Sequence, residues 1–572
     1  MDLIYKCVKE KITNVQNLPV FLAVLCLVSF GSNVTYAQNP ANGIEASGLH
    51  VSENARVVTV EPDDFPMEIG RLNTAIETEN DGNTIFELRR DAVYWTYPRI
   101  ENPDHRLHIR AEEGDGHPPI IRSATDFGQS DYNLYTTRDV IIEGVFFVGL
   151  NEMGVQQDQM RHLGSDAVVV FDNIWIFGAH ANPLWIEGSN NAIYTTNSMI
   201  ANTGRNGNDQ NGRFIETLGN DQDTIYVENS TMYNLGHAVI RNSGGITGHL
   251  YFNHNTVMNI TQYFRVGEAQ EFVLKNNIFR NIYTIGETLD NQDRAFVEVR
   301  EQPAGFDENE RVMKVNYNNI GYLDEEFVQL IEWRNDHHTD VDIAKAPLIS
   351  RKYMDPENDF PMVEFENNIE ERVDFTDPPD LGPYLDWQRH WMHGRDNIPM
   401  DNPPIEEYDH PILYDRWNDT SDDPAPAHYT LDLARSFGYS NELESFTAAE
   451  NGFPVGDLNW FPELKEKWVA GDTPTSVEEE TEVVAEDFRI VGNYPNPFNP
   501  STSIVFELAS QVEVTLEVFN VLGQRVEIME LGTHASGRHE VTFDASGLPS
   551  GVYVLRMQMG EEVKTQNITL LK

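Results

Sequence analysis

Hydrophobic positions in the middle of this chain fall in runs too short for helices. Between Asp166 and Tyr322 they are β-branched or aromatic residues broken by Asn and Gly, and such short runs between turn residues read as strands. Aligning Val170–Trp175, Thr195–Ile200, Val227–Met232, Phe252–Val257 and Leu274–Phe279 places Asp172, Asn197, Asn229, His254 and Asn276 in corresponding places. A second Asn follows five residues later at Asn202, Asn234, Asn259 and Asn281. The intervals of 25, 32, 25 and 22 residues lie in the range of solenoid coils. A unit of this size cannot bury an apolar face by itself, so the units are expected to stack. Asn suits a repeated bend because it tolerates the left-handed conformation and bonds to nearby backbone, and stacked Asn side chains form a ladder. An antiparallel sandwich is the alternative, but its turns recur at roughly 8–12 residues without an Asn in phase.

The pattern extends upstream. Leu72–Ile76 reads as a short capping helix, Gly82–Leu88 as a first strand, and Leu107–Gly114 and Asp139–Phe147 as its successors. With these phrases the chain resembles the right-handed parallel β-helix proteins of the pectate-lyase type, and its opening resembles the chondroitinase-B and alginate-lyase branch of that superfamily. The resemblance covers about Glu61 to Tyr322 and implies an all-β solenoid.

Flanking segments have other characters. Met1 to Ala37 reads as a signal peptide: Lys6, Lys9 and Lys11 precede the apolar run Leu18–Phe30, and small residues stand at Ala37. Residues 38–60 form a polar lead-in. Residues 323–470 are acidic and rich in Pro and Trp, and are expected to be irregular structure packed along or capping the solenoid. Residues 471–487 are an acidic linker without apolar periodicity. From Phe488 onwards Val512, Val514, Leu516 and Val518 alternate with polar residues, as in a half-buried strand, and the module reads as a small β-sandwich of about seven strands. Its opening Asn493–Ser503, the turn Val521–Gln524, the strand Gly551–Val554 and the terminal Leu570–Lys572 resemble the type A C-terminal sorting domain of the type IX secretion system. That resemblance implies export through the inner membrane by the signal peptide and across the outer membrane by this domain, with the secretion machinery as partner.

Charge and cysteine narrow the function. The chain carries 92 Asp and Glu against 40 Lys and Arg, a net charge of −52. A field of this sign disfavours nucleic acid and anionic membranes, and admits a polyanion only where cations or a local basic patch receive it. Both cysteines, Cys7 and Cys26, lie in the signal segment, so disulfides, Cys-zinc sites and Cys nucleophiles are excluded from the mature chain. Outside that segment no apolar run is long enough to span a bilayer. The acidic, Lys-poor composition suits high salt, which screens self-repulsion.

Candidate chemistry follows from stacking, since equivalent outward residues of adjacent coils stand ~4.8 Å apart. Leu184–Glu187, Arg213–Glu216, Ala238–Arg241, Tyr263–Arg265 and Phe296–Arg300 each end in a charge. With Ile186, Ile215 and Ile240 inward, Glu187, Glu216, Arg241 and Arg265 are expected side by side on one exposed sheet. This suits uronic-acid polysaccharide cleaved by β-elimination, in which the sugar carboxylate is neutralised before its neighbouring proton leaves. Glu187 and Glu216 are hard oxygen donors for calcium. Arg241, Arg265 and His237 form the candidate catalytic set, and Arg213, Tyr263 and Arg300 the substrate contacts. The resembled lyases carry two glutamates one residue apart, a lysine base soon after and an arginine about one coil later. Glu216 and Arg241 match that spacing, whereas Thr217–Asn220 supplies neither the second glutamate nor the lysine.

Other readings stay open. The charges can be solvated pairs across coils, and Glu187 with Glu216 can be a hydrolytic pair. The protein can equally be a noncatalytic glycan-binding adhesin or a structural surface component. Weaker candidates are a metal site at Asp336, His337, His338 and Asp340 and a sugar platform of Trp387, His390, Trp391 and His393. The former reads as exposed loop and the latter as core.

Overall fold

The computed structural model describes residues 39–474 and 489–570, apart from 125–131, 152–156, 205–211, 266–268, 289–293, 299–310, 338–341, 351–362, 390–435, 495–497 and 521–523 and the single residues 53, 103, 115, 180, 243, 263, 348, 383, 386, 499, 509, 536 and 561. The chain divides into two compact units, residues 1–474 and 475–572.

In the first unit a complete coil is three short strands, and successive coils lay their strands side by side. Val168–Asp172, Trp175–Phe177 and Leu184–Ile186 make one such coil, followed by Ala192–Thr196, Met199–Thr203 and Ile215–Glu216. The result is three all-parallel sheets of 11, 9 and 8 strands, here called the first, second and third. This is a parallel β-helix. Side chains of equal phase stack along its interior. Val169, Ile193, Ile225, Leu250 and Phe272 pair in register through five coils and are all buried. Burial of such rows is the main stabilising term.

The bends are where Asn does its work. Asn197, Asn229, His254 and Asn276 have φ between 47 and 60° at the corner between first and second sheets, and Asn202, Asn234, Asn259 and Asn281 have φ of 53–57° at the next corner. In the coil of Phe171 the left-handed residue is Asn173, not Asp172, because Phe171 pairs with Thr195. The second set forms a buried ladder: Asn234 Nδ2 donates to Asn202 Oδ1 at 2.9 Å, Asn259 to Asn234 at 2.7 Å and Asn281 to Asn259 at 2.9 Å. A further ladder is made by the residue after the first left-handed corner. Asn255 Nδ2 donates to Asn277 at 3.2 Å, Asn277 to Asn318 at 2.9 Å and Asn318 to Asn368 at 2.9 Å.

The stack is longer than its Asn phrases at both ends. Arg56–Val60 already pairs in parallel with Thr84–Leu88, and Val363–Glu364 adds an eleventh strand to the first sheet after Tyr322. The helix Arg71–Glu79 places Leu72 and Ile76 in the main core, as the sequence predicts. Residues 325–337, expected to be irregular, form a helix whose Phe327, Leu330 and Ile331 join that core.

Two sheets are covered on the outside. Segment 436–470 lies over the second, where Phe437, Tyr439, Phe453, Val455, Leu458 and Trp468 pack on Met199, Tyr233, Met258 and Ile278. Gly456 (φ 89°) passes so close that a Cβ there would stand 2.7 Å from Thr256 Oγ1. On the first sheet the helix Gly43–Ser47 covers part of a tyrosine stack in which Tyr226 and Tyr251 lie 4.8 Å apart.

The second unit has seven strands in antiparallel sheets of three and four. Val514, Leu516 and Val518 are fully buried in its core with Phe506, Leu555 and Ile568. The alternation read from the sequence is therefore that of a sheet with one buried face.

Candidate functional site

The third sheet exposes a continuous outward row. Glu101 pairs with Tyr135, Tyr135 with Arg161, Arg161 with Trp185, Trp185 with Glu216, and Glu216 with Arg241. Strand alternation dictates this, since Leu134, Met160, Leu184, Ile215 and Ile240 between them point into the core.

At the centre lies Glu216, 1% exposed despite standing on an outward position. Arg241 Nη1 donates to its Oε2 at 3.1 Å, and Arg213 Nε approaches the same oxygen at 3.2 Å. The other oxygen, Oε1, accepts the backbone N–H of Leu218 at 3.0 Å. Arg213 also donates from Nη1 to Asn182 Oδ1 at 3.2 Å, and Asn182 is held in turn by its N–H on Asp158 Oδ1 at 2.9 Å. A buried carboxylate is tolerable only when paired this completely.

Toward the N-terminal coils the row turns aromatic. The Arg161 guanidinium stands 5.3 Å from the Trp185 ring centroid and 5.5 Å from that of Tyr135, and Arg99 lies 4.0 Å over the Tyr135 ring. Arg161 also pairs with Glu187. Burial works against its charge, but Glu187, Tyr135 and Tyr132 outweigh that and hold its pKa above the ordinary value. Behind the row, burial pushes His162 down to about 4, so the imidazole bonded to Thr136 Oγ1 at 2.9 Å is neutral at pH 7.

The expected residues are thus only partly brought together. Glu216 and Arg241 are neighbours as read from the sequence. Glu187 is not beside Glu216: Trp185 takes that place, because Leu184 rather than Ile186 aligns with Ile215. Arg213 touches Glu216 rather than open solvent, being 4% exposed. His237 is buried three residues before the strand Ile240–Arg241. Arg265 pairs with Arg241 through the backbone. Tyr263 and Arg300 lie outside the described residues, as do His338, Asp340, His390, Trp391 and His393. Trp387 is buried in the core, and His337 ends a helix with Nδ1 2.7 Å from Trp333 O.

Glu187 and Glu216 do not fit a calcium ion as placed. They are off register, each is already paired with arginine, and among the described residues no three His, Asp or Glu side chains converge on a metal position.

The second unit decides where this face operates. Residues 493–570 match the secretion system C-terminal sorting domain. The chain is therefore exported by type IX secretion to the cell surface or released from it. No curated protein matches the chain. Among the described residues no helix is long and apolar enough to cross a membrane.

The aromatic half of the site, Tyr135, Arg161 and Trp185, is absent from the sequence-based set. Its signal was the alternation in Tyr132–Thr136 and Asp158–His162. Upstream of Asn197, glycines 144 and 178 take the left-handed corners in place of Asn at two of the bends, and with them the phase marker disappears.

Proposed function

We propose that this protein is a surface-exported polysaccharide-binding β-helix whose ligand is a uronic-acid glycan lying along the outward row of the third sheet. One observation carries the reading: Tyr135, Arg161, Trp185, Glu216 and Arg241 occupy successive coils of one face. Coils ~4.8 Å apart present one side chain per step, and a pyranose in an extended chain advances by a similar length. Partly exposed rings of Tyr135 and Trp185 offer flat apolar surface to sugar rings. Arg241, with its side chain 24% exposed, offers a guanidinium to sugar carboxylates. The chain is otherwise strongly acidic, so this arginine-bearing strip is the local patch that a polyanion requires.

Binding fits this geometry better than cleavage. Elimination needs a base that can take a proton from the sugar. Among the described residues the row offers guanidiniums, which stay protonated, a Glu216 carboxylate already engaged by two arginines and a backbone N–H, a Glu101 carboxylate paired with Arg99, and a Tyr135 phenol whose ring packs against Arg99 and Arg161. The test is affinity electrophoresis of the mature protein through gels containing alginate, pectate or a dermatan-type glycan, with ultraviolet absorbance of the same mixtures recorded for unsaturated product. Retardation in at least one gel, lost in Arg241→Ala and without new absorbance, is the expected result. A rise in absorbance replaces binding by lyase action, and free migration in all three gels rejects the uronate reading.

A further inference from the structure

The turn that follows Glu216 is built from an unsuitable residue. Asn220 N donates to Thr217 O at 3.0 Å, closing a four-residue turn whose two central residues, Leu218 and Gly219, have φ of 54 and 79°. Two positive φ angles in succession are the signature of a type I′ turn, which favours Asn-Gly, Asp-Gly or Gly-Gly. A leucine there crowds its Cβ against the following carbonyl and is an outlier. At most other left-handed positions of the coil stack this chain uses Asn, Asp or Gly.

Leu218 belongs to none of the buried apolar clusters. The residue is 46% exposed, among the most exposed large apolar residues of the described chain. What holds the conformation is its surroundings. Leu218 N–H is fixed on Glu216 Oε1 at 3.0 Å. On the next coil, Gly245 packs so tightly that a Cβ there would stand 2.4 Å from the Asn220 carbonyl. Strain of this kind persists where neighbours over-determine the backbone, and it concentrates at functional sites. Leu218 stands two residues past Glu216, and its turn is tied to the preceding coil, where Asn220 Nδ2 donates to Glu187 O at 2.8 Å. The turn therefore stands beside Glu187, the residue that pairs with Arg161, at the edge of the strip holding Trp185 and Glu216.

We propose that Leu218 is a ligand-contacting residue: the strained turn projects its isobutyl group over the rim of the binding face, where it packs on the apolar face of a bound sugar. The assignment rests on the polysaccharide reading and adds a specificity element to it. A contact that offers no donor and no acceptor favours a sugar presenting C–H surface at that position over one presenting hydroxyls.

The assignment couples two quantities that a passive surface leucine would leave independent. Leu218→Asn and Leu218→Gly both suit the turn, so each is expected to melt higher than the wild type, by ~1–3 °C. Each is also expected to bind the alginate, pectate or dermatan-type gel that retards the wild type at least about fivefold more weakly, the loss typical of a true contact residue. Variants that melt higher yet are retarded like the wild type overturn the contact while leaving the polysaccharide reading intact. Variants that melt lower overturn the strain argument on which the assignment stands. A wild type that migrates freely in all three gels overturns the polysaccharide reading and the assignment with it.

Discussion

Arg241 Nη1 and Glu216 Oε2 lie 3.1 Å apart on adjacent coils, with Arg213 Nε 3.2 Å from the same oxygen. The two arginines are not equivalent. Arg213 is buried with the carboxylate, whereas Arg241 keeps 24% of its side chain exposed. Removing Arg241 leaves Glu216 one cation and a backbone N–H, so Arg241→Ala should cost only ~1 kcal/mol in urea unfolding while abolishing glycan retention. Glu216→Ala takes from two guanidiniums their shared carboxylate, leaving the buried Arg213 its neutral partner Asn182, and should cost ~3 kcal/mol or more. Equal losses for the two variants would mean that Arg241 is purely structural.

The corner ladder gives a second separation. Asn259 is left-handed (φ 57°), donates to Asn234 and accepts from Asn281. Asn259→Ala loses the conformational preference and leaves two buried amides short of a partner, for ~3–4 kcal/mol in total. Asn259→Gly restores the backbone freedom and should recover ~1 kcal/mol of that. If the two variants unfold at the same denaturant concentration, the left-handed bend carries no cost in this stack.

These two sites also show what could be read in advance. The ladder was legible because Asn recurs in phase wherever a left-handed corner must be both bent and satisfied, and Asn202, Asn234, Asn259 and Asn281 all sit there. Glu216 opposite Arg241 was legible because both precede their next-coil strands by similar spans. Glu187 was not. The connection from the second to the third sheet differs in length between coils, so only the charge ending each segment was left to align on; that put Glu187 beside Glu216, where Trp185, two residues earlier, stands. A shift of two keeps the face and changes the neighbour. The segment 436–470 carries no period because it follows the sheet it covers rather than a repeat of its own.

A cluster beneath that segment makes stability fall as pH rises. Glu228 is buried at a corner of the first sheet, accepting from Tyr226 Oη and Asn253 Nδ2, both at 2.7 Å, and burial pushes its carboxyl up to about 7. Asp457 accepts from Thr231 Oγ1 at 2.7 Å and is pushed by burial to about 6. Asp172 is raised for the same reason, and Lys465 is the cation facing all three. A carboxyl raised above its unfolded value contributes stability that is complete below that value and is lost as pH rises through the folded one. The window is therefore from about pH 4 to pH 7, and Glu228 accounts for ~3 kcal/mol of the loss at 1.36 kcal/mol per unit. Glu228→Gln should flatten the decline of Tm between pH 5 and 8. An unchanged slope would place the titrating group elsewhere.

Salt should act in the opposite sense to its effect on an ordinary charge-balanced surface. With 92 acidic and 40 basic residues, pairing leaves a large excess of carboxylates. Surface pairs lose at most ~1 kcal/mol each when screened, whereas screening the excess relieves repulsion over the whole surface. Tm should rise from low salt to ~1 M sodium chloride, where the Debye length has shrunk to about 3 Å. A flat or falling Tm would show that the pairs, such as Arg56–Glu79 and Arg89–Glu112, outweigh the repulsion.

Deleting the second unit should separate folding from delivery. Residues 1–474 and 475–572 are distinct compact units, each with its own core: the coil stack holds Phe171, Ile225 and Phe252, and the sorting domain holds Phe506, Leu516 and Leu555. A chain ending at Pro474 therefore keeps every described hydrogen bond of the coils and should melt within a few degrees of the parent unit. It lacks the signal read by type IX secretion, so it should cross the inner membrane and accumulate in the periplasm, resistant to protease and absent from the cell surface. Residues 489–572 fused to a foreign folded protein with a signal peptide should bring that protein to the surface. A truncated chain that still reaches the surface would show that the coils carry an export signal of their own. One that is degraded in the periplasm would show that the coil stack depends on the sorting domain for its fold.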